Sequence, residues 1–245
     1  MLLRTVGRLS WIAAEITGAV FDYFFAVVLS APKDLRAARA AWMSRAARRH
    51  LKIFNCFPEV SGPVPKSGLL VSNHLSYFDI LLISSVTPAV FVSKAEVRRW
   101  PLFGWLAKLG GTIFIQRERR LQVGAVNRKI QAALDDGALV AIFPEGTSSN
   151  GETVLPFRAP LLEPALRGGQ KISIACIQYG LDDGDAKTEV CYWGEDTFFP
   201  HLLNLLGKRR VRATVRFGEF KRATDDRKEM AKQLHTAVLE LKAKN

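Results

Sequence analysis

The chain has 245 residues, of which 48% are hydrophobic and 24% charged, and this composition excludes a disordered protein. Lysine and arginine outnumber aspartate and glutamate by 35 to 23, so the formal net charge is +12. Such a surface attracts partners that carry phosphate groups: anionic lipid, an acidic carrier protein or nucleic acid. Because the sequence has no zinc-finger, RNA-recognition or helix-turn-helix signature, we expect no nucleic-acid partner.

Cysteine is sparse, with only Cys56, Cys176 and Cys191. An odd number without the spacing of a disulfide framework indicates a reducing compartment. The sequence therefore predicts a protein on the cytoplasmic side of the membrane.

The first 57 residues predict a helical hairpin that contacts a membrane. Residues 11–30 are mostly apolar, but Glu15 and Asp22 interrupt them. An acid at the centre of a bilayer costs about 2.5–3.5 kcal/mol, so we expect a helix that lies in one leaflet rather than a clean span. Pro32 ends this helix, and a second one is predicted from Asp34 to about residue 55.

The second helix carries a basic stripe of Arg45, Arg48, Arg49 and Lys52, which share one face at helical spacing. A basic helix beside an apolar one predicts an anchor on an anionic membrane surface, and we expect the cytoplasmic face of the cell inner membrane. The alternative is an ordinary hairpin packed on the domain. We predict two units, the hairpin at 1–57 and a main domain at 58–245, joined through a proline-rich linker at 58–66.

From Gly68 onward, strand-like and helix-like runs alternate. Strands are predicted at 68–72, 89–93, 112–116, 138–143, 172–178, 188–193 and 211–217, and helices at 79–86, 101–109, 121–135, 160–168 and 225–243. This order predicts an α/β fold with a mostly parallel central sheet flanked by helices.

The run at 68–72 delivers Asn73 and His74 to the carboxyl end of a strand, and Asp79 follows where a helix begins. Ligands of open α/β sheets bind at this edge of the sheet. If Asp79 accepts the imidazole N–H, the other ring nitrogen is free to act as a base. A His–Asp pair alone is more often a simple hydrogen bond.

Two further strands end in polar residues. Arg117 follows the strand at 112–116, and a guanidinium suits the binding of phosphate or carboxylate. The strand at 138–143 is followed by Pro144-Glu145-Gly146-Thr147-Ser148, and Arg158 brings another cation. Glu145 is predicted at the same edge of the sheet, and Gly146 allows close approach of backbone or ligand.

Other functions remain open from these residues. A serine hydrolase could pair Ser72 or Ser76 with His74, but the chain has no G-x-S-x-G turn. A metal site could use His74, Asp79 and Glu145, but no second histidine lies nearby in the sequence. A basic membrane-binding module without catalysis is a further alternative.

Three ordered motifs resemble those of the phospholipid/glycerol acyltransferase family, whose members include 1-acylglycerol-3-phosphate acyltransferases. These are Asn73-His74-x4-Asp79 (the HX4D motif), Gly111-x-Ile113-Phe114-Ile115-x-Arg117 and Phe143-Pro144-Glu145-Gly146-Thr147. The resemblance implies that His74 is the general base and that Asp79 orients it. It also implies an acceptor site, for which we predict Asn73, Arg117, Glu145, Gly146, Thr147, Ser148 and Arg158.

The resemblance implies transfer of a fatty acyl chain from acyl-carrier protein or coenzyme A to the free hydroxyl of a lysophospholipid. The first acceptor it implies is 1-acylglycerol-3-phosphate, giving phosphatidic acid, and another lysolipid such as lyso-ornithine lipid is the alternative. It implies no metal or redox cofactor. Two positions depart from the family pattern: Ser148 stands where an arginine is usual, and Ala175 stands where a strand proline is usual.

Overall fold

The computed structural model describes residues 2–100, 102–116, 120–167 and 169–244, with the backbone alone for residues 120–122. Its helices are α1 (Leu2–Tyr23), α2 (Leu35–Ile53), α3 (Phe78–Val86), α4 (Phe103–Leu109), α5 (Arg120–Asp135), α6 (Glu163–Arg167), α7 (Ala186–Glu189), α8 (Phe198–Gly207) and α9 (Arg227–Ala243). Its strands are β1 (Glu59–Ser61), β2 (Gly68–Ser72), β3 (Val90–Lys94), β4 (Ile113–Ile115), β5 (Leu139–Ile142), β6 (Ile172–Leu181) and β7 (Val211–Phe220). A π-helical segment, Phe24–Leu29, extends α1.

The described strands form one sheet in the order β1-β7-β6-β2-β5-β3-β4. Each neighbouring pair is parallel except β6 and β7, which are antiparallel. The predicted α/β fold with a mostly parallel sheet is therefore confirmed. Helices cover both faces, so β2 is buried along its whole length: Leu70 packs toward α3 and α8, and Leu69 and Val71 pack toward α5 and α9.

Three elements differ from the sequence prediction. The predicted strand at 188–193 is wrong, because Asp185 accepts a hydrogen bond from the N–H of Lys187 and so caps the short helix α7. Val190 and Cys191 are apolar because they are buried in the core beneath it. The expected linker contributes β1, which is fully exposed and shows no apolar alternation. Helix α8 was missed, although its buried residues His201, Leu202, Leu205 and Leu206 recur at helical spacing.

The expected hairpin is present, and three of the four cations of its basic stripe have partners within the protein. Arg45 binds both carboxylate oxygens of Asp22, at 3.1 and 2.9 Å, and Arg49 donates to Glu15 at 3.0 Å. Arg48 donates to the Ser85 carbonyl oxygen of α3 at 3.2 Å. The two acids of α1 thus neutralise Arg45 and Arg49 inside the hairpin, whereas Lys52 of the same stripe is exposed.

Helix α1 points its charges inward and its apolar side chains outward. Near its start, Arg4 and Arg8 donate to the backbone carbonyl oxygens of Gly207 and Leu206 at the end of α8. The exposed large apolar side chains of α1 and its extension are Leu2, Leu3, Val6, Leu9, Trp11, Phe21, Phe24, Phe25, Val28 and Leu29. The segment Leu2–Leu29 is long and apolar enough to cross a membrane.

Candidate functional site

His74 and Asp79 lie together at the carboxyl edge of the sheet. β2 ends at Ser72, so His74 projects past the last rung of the ladder, and Asp79 lies in the first turn of α3. His74 Nδ1 is 2.8 Å from Asp79 Oδ2. Asp79 is fully buried, whereas about a fifth of the His74 side chain (22%) is exposed. The chain thus turns back on itself in the way that the sequence predicted for this pair.

The partners of the Asp79 carboxylate fix the tautomer of His74. Oδ2 also accepts the backbone N–H groups of Leu75 at 2.7 Å and Ser76 at 3.1 Å. A carboxylate only accepts, so the facing Nδ1 of His74 carries the proton and Nε2 keeps its lone pair. The His74 ring stacks on Phe143, with centroids 4.2 Å apart, and this contact holds its plane.

Glu145 ties the loop after β5 to the His74 turn. Its Oε1 accepts the backbone N–H of His74 at 2.7 Å, and its Oε2 accepts that of Leu155 at 3.1 Å. The carbonyl oxygen of His74 in turn accepts the N–H of Ser149 at 3.0 Å. Burial raises the pKa of Glu145 to about 7, although both backbone hydrogen bonds oppose this shift. Both carboxylate oxygens are therefore engaged with backbone, which differs from the predicted role in binding an acceptor.

Asn73 also differs from its predicted role. It is buried, its Oδ1 accepts the N–H of Ile177 at 2.7 Å, and its Nδ2 donates to the Ile177 carbonyl oxygen at 3.0 Å. The side chain thus continues the pairing of β2 with β6 past the end of the ladder and does not line the cleft.

An open cleft lies in front of His74. Its described lining contains His74, Tyr77, Ile80, Val92, Ser93, Lys94, Val97, Trp100, Phe143, Gly146, Thr147, Ser148, Tyr192, Trp193, Gly194 and Asp196. Apart from His74, the ionisable charged residues in this lining are one cation, Lys94, and one carboxylate, Asp196. The predicted residues Gly146, Thr147 and Ser148 are here, and Ser148 Oγ donates to the carbonyl oxygen of Tyr192.

Two predicted cations are not in this lining. Arg158 lines a smaller pocket with Ile115 and Pro144, and this pocket shares Phe143 and Gly146 with the cleft. Arg117 lies outside the described residues. Within the described parts of the chain, no three His, Cys, Asp or Glu side chains form a group that could hold a metal ion.

An apolar chamber adjoins the cleft. It lies between the hairpin, α3, α4 and α8, and its walls include Ile12 of α1, Trp42 of α2 and Leu202 of α8. Cleft and chamber share four wall residues, namely Tyr77, Ile80, Val97 and Trp100. A chain of methylene groups could therefore extend from the neighbourhood of His74 into an apolar space.

Sequence reasoning missed several residues of the site. Tyr77 lies within the HX4D motif but gave no signal of its own, whereas Tyr192 and Asp196 lie in the segment that was misread as a strand and its continuation. Tyr179 of β6 donates its hydroxyl to Asp79 Oδ1 at 2.6 Å. Its separation of one hundred residues from Asp79 left no pattern that could have revealed the contact.

Comparisons with known proteins give a consistent result. The sequence model of the acyltransferase family matches residues 58–179. A lyso-ornithine lipid O-acyltransferase of Pseudomonas aeruginosa is 38% identical over 184 residues, which cover 73% of this chain and 69% of that protein. A 1-acyl-sn-glycerol-3-phosphate acyltransferase of Neisseria meningitidis is 35% identical over 137 residues, which cover 55% of this chain and 54% of that protein. The crystal structure of the 1-acyl-sn-glycerophosphate acyltransferase of Thermotoga maritima has the same fold, with a TM-score of 0.64 at 21% identity, over 100% of this chain and 97% of that one.

Proposed function

Because this chain belongs to the acyltransferase family, we propose that it transfers a fatty acyl group from a thioester to the free hydroxyl of a lysolipid, with His74 as the base. The observation that carries this proposal is the His74–Asp79 pair, whose second imidazole nitrogen faces the cleft. His74 Nε2 takes the hydroxyl proton while the oxygen bonds to the thioester carbonyl carbon. The carbon–sulfur bond then breaks, and the leaving thiolate takes the proton from His74.

Asp79 stabilises the imidazolium that exists between these two proton transfers. Since Asp79 is buried and already accepts two backbone N–H groups, it does not move when His74 becomes charged. A charge held in place in a water-poor site stabilises the developing cation more than solvent would. Asp79 thus has an orienting and electrostatic role and takes no proton itself.

We propose a zwitterionic lyso-aminolipid of the lyso-ornithine class as the acceptor. The described cleft lining offers one cation, Lys94, and one carboxylate, Asp196, which suits a head with one carboxylate and one ammonium group. A phosphate monoester is better held by two cations. Ser148 stands where the family usually places one of them, and its hydroxyl is already bonded to Tyr192. The lyso-ornithine lipid enzyme of Pseudomonas aeruginosa supports this choice.

The second candidate acceptor is 1-acylglycerol-3-phosphate. It is favoured by the relatives named for that substrate, at 35% identity over 137 residues. Arg117, outside the described residues, would be one of the cations that bind its phosphate.

The donor is a thioester of acyl-carrier protein or coenzyme A. Both carriers hold the acyl group on a phosphopantetheine arm, and the exposed cations Arg98 and Arg99, between the cleft residues Val97 and Trp100, suit its phosphate. The apolar chamber beside the cleft would hold an acyl chain.

The hairpin places the enzyme on a membrane. The outward apolar face of α1 would lie in one leaflet, where the lysolipid is dissolved. The reduced state of the three buried cysteines is consistent with the cytoplasmic face of the cell inner membrane.

The test is an acylation assay of the purified chain with a panel of lysolipids and both thioester donors. We expect turnover with lyso-ornithine lipid to exceed that with 1-acylglycerol-3-phosphate, and His74→Ala to abolish both while the thermal midpoint is kept. Normal turnover by His74→Ala would refute the mechanism.

Asp196→Asn separates the two acceptors. Asp196 accepts a hydrogen bond from the backbone N–H of Trp193 at 3.2 Å. Asparagine keeps an oxygen for this bond but removes the charge. We expect KM for lyso-ornithine lipid to rise roughly fivefold, because one exposed ion pair is lost, and KM for 1-acylglycerol-3-phosphate to stay or fall. Asp225→Asn, at an exposed aspartate outside the cleft, is the matched control. A rise for both acceptors alike would contradict the zwitterionic headgroup.

A further inference from the structure

The carboxylate of Asp79 has two oxygens with different surroundings. Oδ2 accepts the three N–H groups of His74, Leu75 and Ser76. Oδ1 accepts a single hydrogen bond, from the hydroxyl of Tyr179 at 2.6 Å. This length is typical of a hydroxyl that donates to an ionised carboxylate. In the described structure, Tyr179 is therefore the group that restrains the second half of the carboxylate.

We propose that Tyr179 is a positioning residue of the catalytic pair: its hydroxyl holds Asp79 and thereby sets the orientation and the basicity of His74. This inference rests on the proposed function, in which His74 is the base. Tyr179 is not among the described residues that line the cleft, so it acts through Asp79 rather than on a substrate.

The backbone of β6 places this hydroxyl accurately. Ile177, two residues before Tyr179 on the same strand, has both its backbone groups bound by the side chain of Asn73. This double hydrogen bond fixes β6 against the turn that carries His74. The Tyr179 ring then packs edge-on against Phe78 of α3, with centroids 6.0 Å apart. The hydrogen bond from Tyr179 to Asp79 therefore joins β6 and α3, two elements that are already held in contact.

The hydroxyl stays a donor over the working pH range. Burial, together with the neighbouring Asp79 carboxylate, raises the pKa of Tyr179 well above its ordinary value. A proton that remains on the tyrosine disperses part of the negative charge of Asp79. Without it, the carboxylate would stabilise the imidazolium of His74 more strongly, so the neutral base would be available only at higher pH.

Other titratable groups surround the pair and are shared by every variant. Burial raises the pKa of the Cys56 and Cys191 thiols to about 12, so both stay neutral. Glu145, with a pKa raised to about 7 by burial, titrates within the assay range. Lys242 of α9 acts on Glu145 and is bonded to the Gly151 carbonyl oxygen. A difference between wild type and a Tyr179 variant therefore reports on Tyr179.

The experiment compares Tyr179→Phe with wild type in the full chain, using the thioester and lysolipid that wild type turns over best. We expect kcat to fall on the order of tenfold, because Asp79 no longer holds His74 in a fixed orientation, with KM changed less than about twofold. The acidic limb of the kcat/KM profile should move up by roughly half a pH unit or more. Replacing Tyr179 by 3-fluorotyrosine keeps the ring, and its more acidic hydroxyl donates a stronger hydrogen bond to Asp79. This replacement should move the acidic limb of the kcat/KM profile to lower pH.

Two controls make the result decisive. Tyr23→Phe removes a hydroxyl from a tyrosine that packs on Trp42 in the hairpin, and it should leave kcat and the pH profile unchanged. In an Asp79→Asn background, Tyr179→Phe should add no further loss, since both changes act through the same carboxylate. Independent losses, an unshifted acidic limb or a change in KM alone would overturn the positioning role. Activity of His74→Ala in the same assay would instead overturn the proposed function.

Discussion

Glu145 shows that a polar residue at a strand end can serve the backbone around it. Beyond the carboxyl ends of parallel strands, backbone N–H groups have no partner in the neighbouring strand. A buried N–H group must find another acceptor. Glu145 supplies two such acceptors, one for His74 and one for Leu155. Asn73 does the same for Ile177. At the scale of the residue, these two side chains stabilise the site because they accept hydrogen bonds from the backbone N–H groups around it.

The buried carboxyl of Glu145 makes stability depend on pH. Its folded pKa of about 7 lies above the ordinary value of 4.5, so the protonated form favours folding. This contribution is fully present below about pH 4.5 and is lost as the pH rises through about 7, at a cost of up to about 3 kcal/mol. We expect Glu145→Gln to reduce the difference in thermal midpoint between pH 5 and pH 8.

The control for this measurement is Glu219→Gln, at an exposed glutamate of β7. It should keep the pH dependence of wild type. An unchanged pH dependence in Glu145→Gln would show that another group titrates between these values.

The elements that the sequence predicted best are those whose signal is local. Strands β2 and β5 and the first six residues of β6 are buried on both faces and are therefore mostly apolar runs. β1 pairs with β7 through its backbone alone, and its exposed side chains give no sign of this. The pairing of β6 with Asp79 through Tyr179, and of α2 with α1, depends on contacts between distant segments. The hydrophobic periodicity of one segment cannot predict such contacts.

The hairpin illustrates this limit. The spacing of Arg45 and Arg49 correctly predicted one helical face but not what covers that face. Asp22 and Glu15, which look unfavourable in an apolar helix, are the partners of these arginines. Two observations that were separate in the sequence, a basic stripe and two misplaced acids, are thus one set of ion pairs.

An exchange of charges tests this pairing. Asp22→Arg places a third cation beside Arg45 and Arg49, so we expect the free energy of unfolding to fall by roughly 1 kcal/mol, a modest loss because both partners are partly exposed. The double change Asp22→Arg with Arg45→Asp should recover most of it, as measured by the thermal midpoint in detergent. Equal midpoints for wild type and Asp22→Arg would contradict the pairing.

At the scale of the whole molecule, helix α1 joins an outward apolar face to the chamber beside the cleft. α1 presents apolar side chains outward, while Ile12 and Ala19 on its inner side line the chamber next to His74. A crossing of the bilayer by α1 would draw the adjacent α2 and its arginines toward hydrocarbon, where each costs about 2.5–3.5 kcal/mol. α1 therefore suits a position along the membrane surface, with its outer face in the leaflet. A lysolipid would then have a short path from the leaflet to the cleft.

This position predicts which exposed side chains bind vesicles. Phe25, on the π-helical extension of α1, is 59% exposed, and Phe57, which follows α2 and is not part of α1, is 57% exposed. Transfer of a phenylalanine side chain out of water contributes about 1.5–3 kcal/mol, so Phe25→Asp should weaken binding to anionic phospholipid vesicles at least tenfold. Phe57→Asp, matched in exposure and in charge, should bind as wild type does. Co-sedimentation measures both, and equal losses in the two variants would show that the outer face of α1 has no special contact with the membrane.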